Sequence, residues 1–145
     1  MGYSMCQRKS DFKIKKENKE AAVKALKAMK HEYAWVDSNW NRHDTIQALI
    51  KEWGWSLKME ITKTIEDGDE ITRTGDVIGI SFNSEKLGDE NSLFDALAPY
   101  VEVGSYIEMV GEGGEKWRWT FDGSTHYGTT KLCCKQVFAK DQWDE

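Results

Sequence analysis

Proline is all but absent from this chain of 145 residues, with Pro99 its only example. That excludes proline-rich linkers and extended recognition tracts. No low-complexity run, internal repeat or break in composition divides the chain, so residues 1–145 are expected to fold as one domain. Cysteine is scarce too: Cys6, Cys133 and Cys134 are the three. An odd number with two adjacent makes a poor disulfide framework and suits a reducing compartment. No apolar run approaches the roughly 20 residues of a membrane-spanning helix. Residues 1–6 lack the charged-then-apolar layout of a signal peptide, so the expected location is cytoplasmic. The histidines His31, His43 and His126 stand far apart, with no Cys or His partner at ligand spacing. No metal site is expected, and no motif calls for a cofactor.

What the chain does have is apolar and aromatic material. Hydrophobic residues make up 39% and aromatics 12%, with seven Trp. A chain of this length buries roughly 70% of its unfolded surface, enough for a core without staples. Charge is unevenly placed. Residues 1–31 hold nine Lys/Arg against three Asp/Glu, whereas residues 32–145 hold eleven against twenty-two. Residues 66–95 alone carry nine acids against Arg73 and Lys86. Such a field attracts basic partners and repels nucleic acid, so direct nucleic-acid binding is not expected; its simplest role is solubility.

Hydrophobic periodicity orders the elements. Residues 3–14 read as a strand ending on Phe12 and Ile14. Asn18 is placed to cap a helix, and Ala22, Ala25, Leu26, Met29 and Tyr33 form its apolar stripe. Residues 35–42 have no period and read as a loop. Asp44 starts a second helix, with Gln47 three positions on as in a capping box; Ile46, Leu49, Ile50 and Trp53 are its buried stripe, and Gly54 stops it. Trp55, Leu57, Met59 and Ile61 then alternate with polar residues as a half-buried strand. Asp67-Gly68 marks a hairpin turn and Gly75-Asp76 a second, before a strand with Ile78, Ile80 and Phe82. A short helix follows on Leu93, Phe94 and Leu97, closed by Pro99. Residues 106–111, 116–122 and 131–138 read as a meander of three strands. The expected fold is α+β: a mainly antiparallel sheet of about six to seven strands, with two N-terminal helices and one short central helix packed on one face.

No catalytic constellation emerges. Ser105 follows Gly104 without the flanks of a nucleophile elbow. Cys6 or Cys134 would need a base such as His126 or His31 brought in by the fold, and a buried cysteine acting as a small apolar residue is the commoner case. Cys133 and Cys134 on one strand would face opposite ways. The acids cluster in expected turns and loops, where solvation and capping explain them; Glu108, inside a strand, is the exception. Gly111-Glu112-Gly113-Gly114 joins two strands, and its glutamate and that of Glu115 oppose a phosphate. The row Trp117, Trp119, Phe121 beside Lys116 and Arg118 has the ingredients of a single-strand platform. Helical stripes must pack on some sheet face, which favours this row as core. Trp35 and Trp40, off any stripe and beside Asp37 and Arg42, have the composition of a binding anchor.

The segments Gly104-Ser105-Tyr106-Ile107-Glu108-Met109, Gly111-Glu112, Trp117-Arg118-Trp119 and Phe121-Asp122-Gly123 carry a resemblance. They are similar to short proteins of bacterial phages and mobile elements that have no assigned activity. The likeness extends back to Phe82 and Glu85-Lys86-Leu87-Gly88. It implies a bacterial or phage-infected cell rather than a chemistry. The expectation is a non-enzymatic interaction protein, an inhibitor that meets a basic, nucleic-acid-handling host defence protein through an acidic surface. Its contact residues are expected among Trp35, Asp37, Trp40, Arg42, Asp67, Asp69, Glu70, Asp89 and Glu90. Two readings from other classes stand beside it. One is a small hydrolase or transferase with a site near Glu108 or Cys134; the other is a single-strand nucleic-acid binder using Lys9, Lys13, Lys15, Lys16 and exposed tryptophans.

Overall fold

Alternating segments form strands and three-to-four-residue stripes form helices in the computed structural model, which describes residues 3–29, 44–85 and 87–139. The order is β1 (Met5–Asp11), α1 (Lys19–Ala28), α2 (Ile46–Glu52), β2 (Trp55–Glu66), β3 (Asp69–Phe82), α3 (Glu90–Leu97), β4 (Ser105–Gly111), β5 (Lys116–Phe121) and β6 (Lys135–Phe138). Short 3₁₀ turns at Lys16–Asn18 and Ala98–Tyr100 lead into α1 and out of α3. The architecture is α+β, and every pairing between the described strands is antiparallel. The six strands divide between two sheets, one ordered β1-β4-β5-β6 and the other a β2-β3 hairpin.

The core lies between these sheets and the helices. Ala22, Leu26 and Met29 of the first helical stripe are buried, as are Ile46, Leu49 and Ile50 of the second. Trp117, Trp119 and Phe121 are all buried, so this row is core and not a nucleic-acid platform. Phe94 of α3 sits 5.1 Å from the Trp119 ring and 6.1 Å from Phe121, and Trp55 stands edge-on 6.1 Å from Trp119. Edge-to-face rings at such distances add about 0.5–1.5 kcal/mol per pair beyond the area they bury. Two pairs of hydrogen bonds tie the β2-β3 hairpin to the first strand and the segment after it. Ile14 exchanges hydrogen bonds with Val77 of β3 at 3.1 and 2.8 Å. The Gln7 side-chain amide acts as an extra peptide group: its Nε2 donates to the Ile80 carbonyl at 2.8 Å, and its Oε1 accepts from the Phe82 amide at 2.7 Å.

Several expectations change. Asn18 makes no side-chain cap, because the 3₁₀ turn before α1 leaves it in a helical conformation. Helix α2 is capped by Thr45 rather than Asp44, its hydroxyl accepting from the Ala48 amide at 3.3 Å. Gly75-Asp76 is a bulge inside β3 and not a turn, since Met59 pairs Val77 while Ile61 pairs Thr74. A second shift beside Met59 turns Val77 inward and leaves Ile78 exposed. The last strand begins only at Lys135, so Cys133 and Cys134 precede it. The Asp67-Gly68 turn is as expected: both residues have positive φ, 52° and 84°, which a two-residue hairpin of the I′ type requires. Gly111 is needed for another reason, because a side chain there would collide with the Tyr3 ring. Tyr33 and the loop residues Trp35, Asp37, Trp40 and Arg42 lie outside the described residues, as do His31 and His43.

Candidate functional site

The β2-β3 hairpin reaches past the body. At its root Trp55 and Val77 are fully buried, but residues 60–74 are exposed apart from the half-buried Thr64 and Ile71. Isolated two-stranded ribbons are marginal in water, so the buried root anchors the outer half. Cross-strand pairs dress that half: Arg73 donates to Glu66 at 2.7 Å and to Thr64 at 3.3 Å. Arg73, and then Thr64, hold the Glu66 carboxyl below the usual glutamate range.

The tip carries Glu66, Asp67, Asp69 and Glu70 around the tight turn, all exposed. On one face of the same ribbon, Ile61 and Ile65 are 63% and 70% exposed. The structure therefore gathers Asp67, Asp69 and Glu70 at one place and adds two uncovered isoleucines. Those isoleucines escaped the sequence reading because their alternation with Trp55, Leu57 and Met59 reads as one buried stripe. Only their distance from the root, beyond the reach of the helices, puts them outside.

Asp89 and Glu90 belong elsewhere. Trp55 at the root donates its indole N–H to Glu90 at 3.2 Å, and the tip lies eleven residues further along β2, roughly 35 Å at ~3.3 Å per residue. Asp89 is exposed before α3, whereas Glu90 is only 2% exposed. Its second oxygen accepts from the Gly88 amide at 2.6 Å. Burial pushes the Glu90 carboxyl up, against the lowering by these two donors. Glu90 is an internal anchor between α3 and the arm's root.

Two further polar clusters test the enzymatic reading. Glu108, on β4, is fully buried yet points away from the tryptophans, since its neighbours Ile107 and Met109 pair Trp119 and Trp117. Arg118, its direct partner on β5, donates from Nε at 2.8 Å, and Arg8 donates to its other oxygen. Arg8 is the additional residue of a bulge in β1 between Gln7 and Lys9. Both oxygens of this carboxylate are engaged by guanidiniums, so it serves as an acceptor that ties β1 to β5.

The other cluster lines a cleft of about 500 Å³ between α1 and α3, with Ser92, Asp95, Tyr100, His126 and Lys131 on its wall. His126 Nε2 lies 3.8 Å from Asp95 Oδ2, and Asp95 Oδ1 accepts from the Cys134 amide at 2.9 Å. Burial, and then the charge of Asp95, drives the Cys134 thiol far up, which keeps it protonated and unreactive. Among the described residues no hydroxyl or thiol is hydrogen-bonded to the His126 ring; its backbone carbonyl accepts from the Thr129 hydroxyl at 2.9 Å. Among the same residues no group of three or more His, Cys, Asp or Glu side chains could hold a metal ion. No described helix is long and apolar enough to cross a membrane.

No family model matches this chain, and no curated protein or solved structure matches it either.

Proposed function

We propose that this protein is a non-enzymatic interaction module whose acidic β2-β3 arm docks on a basic, nucleic-acid-handling protein and occupies its phosphate-binding surface. The observation that carries this reading is the segregation of Glu66, Asp67, Asp69 and Glu70 to the tip of an arm exposed on both faces. A carboxylate cluster held out from the body meets a concave basic surface at small desolvation cost. Its charge also steers the encounter before contact. Ile61 and Ile65 supply the apolar area that charge alone lacks, behind the acidic tip. Blocking a host's nucleic-acid-handling machinery accords with the phage and mobile-element setting that the sequence resemblance implies.

The test is capture from nuclease-treated bacterial lysate by the wild-type chain and by an Asp67→Lys, Asp69→Lys, Glu70→Lys variant. The expected result is a basic partner retained by wild type at about 0.05 M salt, weakened at about 0.3 M as screening shortens, and lost from the variant. Capture indifferent to charge reversal and to salt, or no specific partner, overturns the reading.

A further inference from the structure

The connection between β5 and β6 folds back on itself beside α3. Thr125 and Leu132 pair across it, and the His126 amide donates to the Lys131 carbonyl at 2.9 Å. The Thr129 amide and hydroxyl both return to the His126 carbonyl, at 3.0 and 2.9 Å, and fix the turn. Residues paired directly across antiparallel strands share a face. His126 and Lys131 are the next such pair after Thr125 and Leu132, so their side chains stand together. Both line the cleft between α1 and α3.

The helices supply the rest of the lining. Ser92, Asp95, Ala96 and Pro99 are three or four positions apart, which puts them on one side of α3 and its exit turn. Ala25 and Ala28 of α1 face the same space. Where larger side chains would close the two helices together, these three alanines leave a slot of about 500 Å³. That is within the ~300–1,000 Å³ of small-molecule sites, which combine an apolar floor with a few convergent polar groups.

The polar groups are unequally engaged. Asp95, the one carboxylate among the described residues of the lining, accepts from the Cys134 amide at 2.9 Å through Oδ1. Its other oxygen faces His126 Nε2 at 3.8 Å. Lys131 is exposed and makes no ion pair among the described residues. The cleft therefore offers an ammonium beside an imidazole at its rim and an apolar slot beneath them.

We propose that this cleft binds a small organic anion with a flat apolar body, the ring between the α1 and α3 alanines and the anionic group at Lys131. The hydroxyls of Ser92 and Tyr100, on the same lining, give such a ligand further polar partners. A cation would meet Lys131 at the rim, and a wholly apolar ligand would leave the ammonium unanswered. No residue of the arm takes part, so the site does not rest on the arm's proposed role.

The experiment is titration of the full chain with 1-anilinonaphthalene-8-sulfonate, an aromatic anion, followed by its fluorescence and by calorimetry. Saturable binding at one site is expected. Lys131→Glu removes the cation, and Ala28→Leu fills the slot from an exposed helix position. Each should keep the wild-type melting temperature and lose about tenfold or more in affinity, the worth of one hydrogen bond to a charged group. The uncharged analogue N-phenyl-1-naphthylamine should bind wild type more weakly by a similar factor. An Ile61→Ser, Ile65→Ser variant, which removes the exposed apolar residues of the arm, should bind as wild type does. The absence of saturable binding, unaltered affinity in either folded cleft variant, equal affinity for the uncharged analogue, or loss of binding in the arm variant overturns the proposal.

Discussion

Two tryptophans separated by one residue show how a single hydrogen bond divides similar side chains. Trp117 and Trp119 are both buried on the inner face of β5. Trp119 donates its indole N–H to Asn91 at 2.6 Å, whereas the Trp117 N–H has no acceptor among the described residues. Replacement by Phe should therefore cost more at 119, by about 1–3 kcal/mol, because it strands the Asn91 oxygen while the change at 117 removes an unpaired donor. Urea unfolding of the two variants gives the comparison. Glu90 supplies a pH test. Its carboxyl is raised in the folded state by burial, so folding favours its protonated form. The stability this contributes is present below the ordinary glutamate range and is lost as pH rises through the raised folded value. In the difference between wild type and Glu90→Gln, wild type should lose ground steadily as thermal melts move from acid pH toward neutrality. A flat difference would mean that Glu90 is hydrated. At Glu108, change to Ala leaves two guanidiniums facing each other. The expected loss is about 2–3 kcal/mol, below the ~3–5 kcal/mol of a wholly buried pair because both arginines still reach water.

Among elements, the arm and the central strands should differ most in local stability. β4 and β5 lie inside a four-stranded sheet over the aromatic core, whereas the outer half of β2-β3 has a partner on one edge only and water on both faces. Exposed ribbons open without disturbing the rest. Hydrogen exchange should thus show residues 60–74 losing protection well before residues 105–111 and 116–121. Equal protection would mean that the arm is packed against another surface in solution. The turn at Asp67-Gly68 belongs to the same scale. Gly68 stands at φ 84° with open space around it, so Gly68→Ala is opposed by backbone strain alone, about 1–2 kcal/mol.

At the scale of the whole molecule, the acids at the tip of β2-β3 stand apart from the body, where net charge alone does not show them. The chain should bind an anion exchanger at neutral pH, and the Asp67→Lys, Asp69→Lys, Glu70→Lys variant should elute from it at lower salt. Equal elution of the two proteins would show that the tip carboxylates are covered in the intact chain.

By itself the sequence determined the α+β class, the helical stripes around Leu26 and Leu49, the inward row of Trp117, Trp119 and Phe121, and the Asp67-Gly68 turn. Each of these rests on interactions between near neighbours: the 3.6- and 2-residue periods, and the left-handed backbone that a tight hairpin demands. Tertiary structure alone decided the division into two sheets, because an alternating strand carries no mark of which antiparallel partner it will choose. It also decided the fate of the isolated acids. Glu90 lies indoors because Trp55, thirty-five residues away, reaches it; Glu108 is buried because Arg8, a hundred residues away, and Arg118 close over it. Bulges next to Met59 and Arg8 reversed which side chains faced the core. A single additional residue in a strand moves everything beyond it to the other face, and only the partner strand shows where that residue sits.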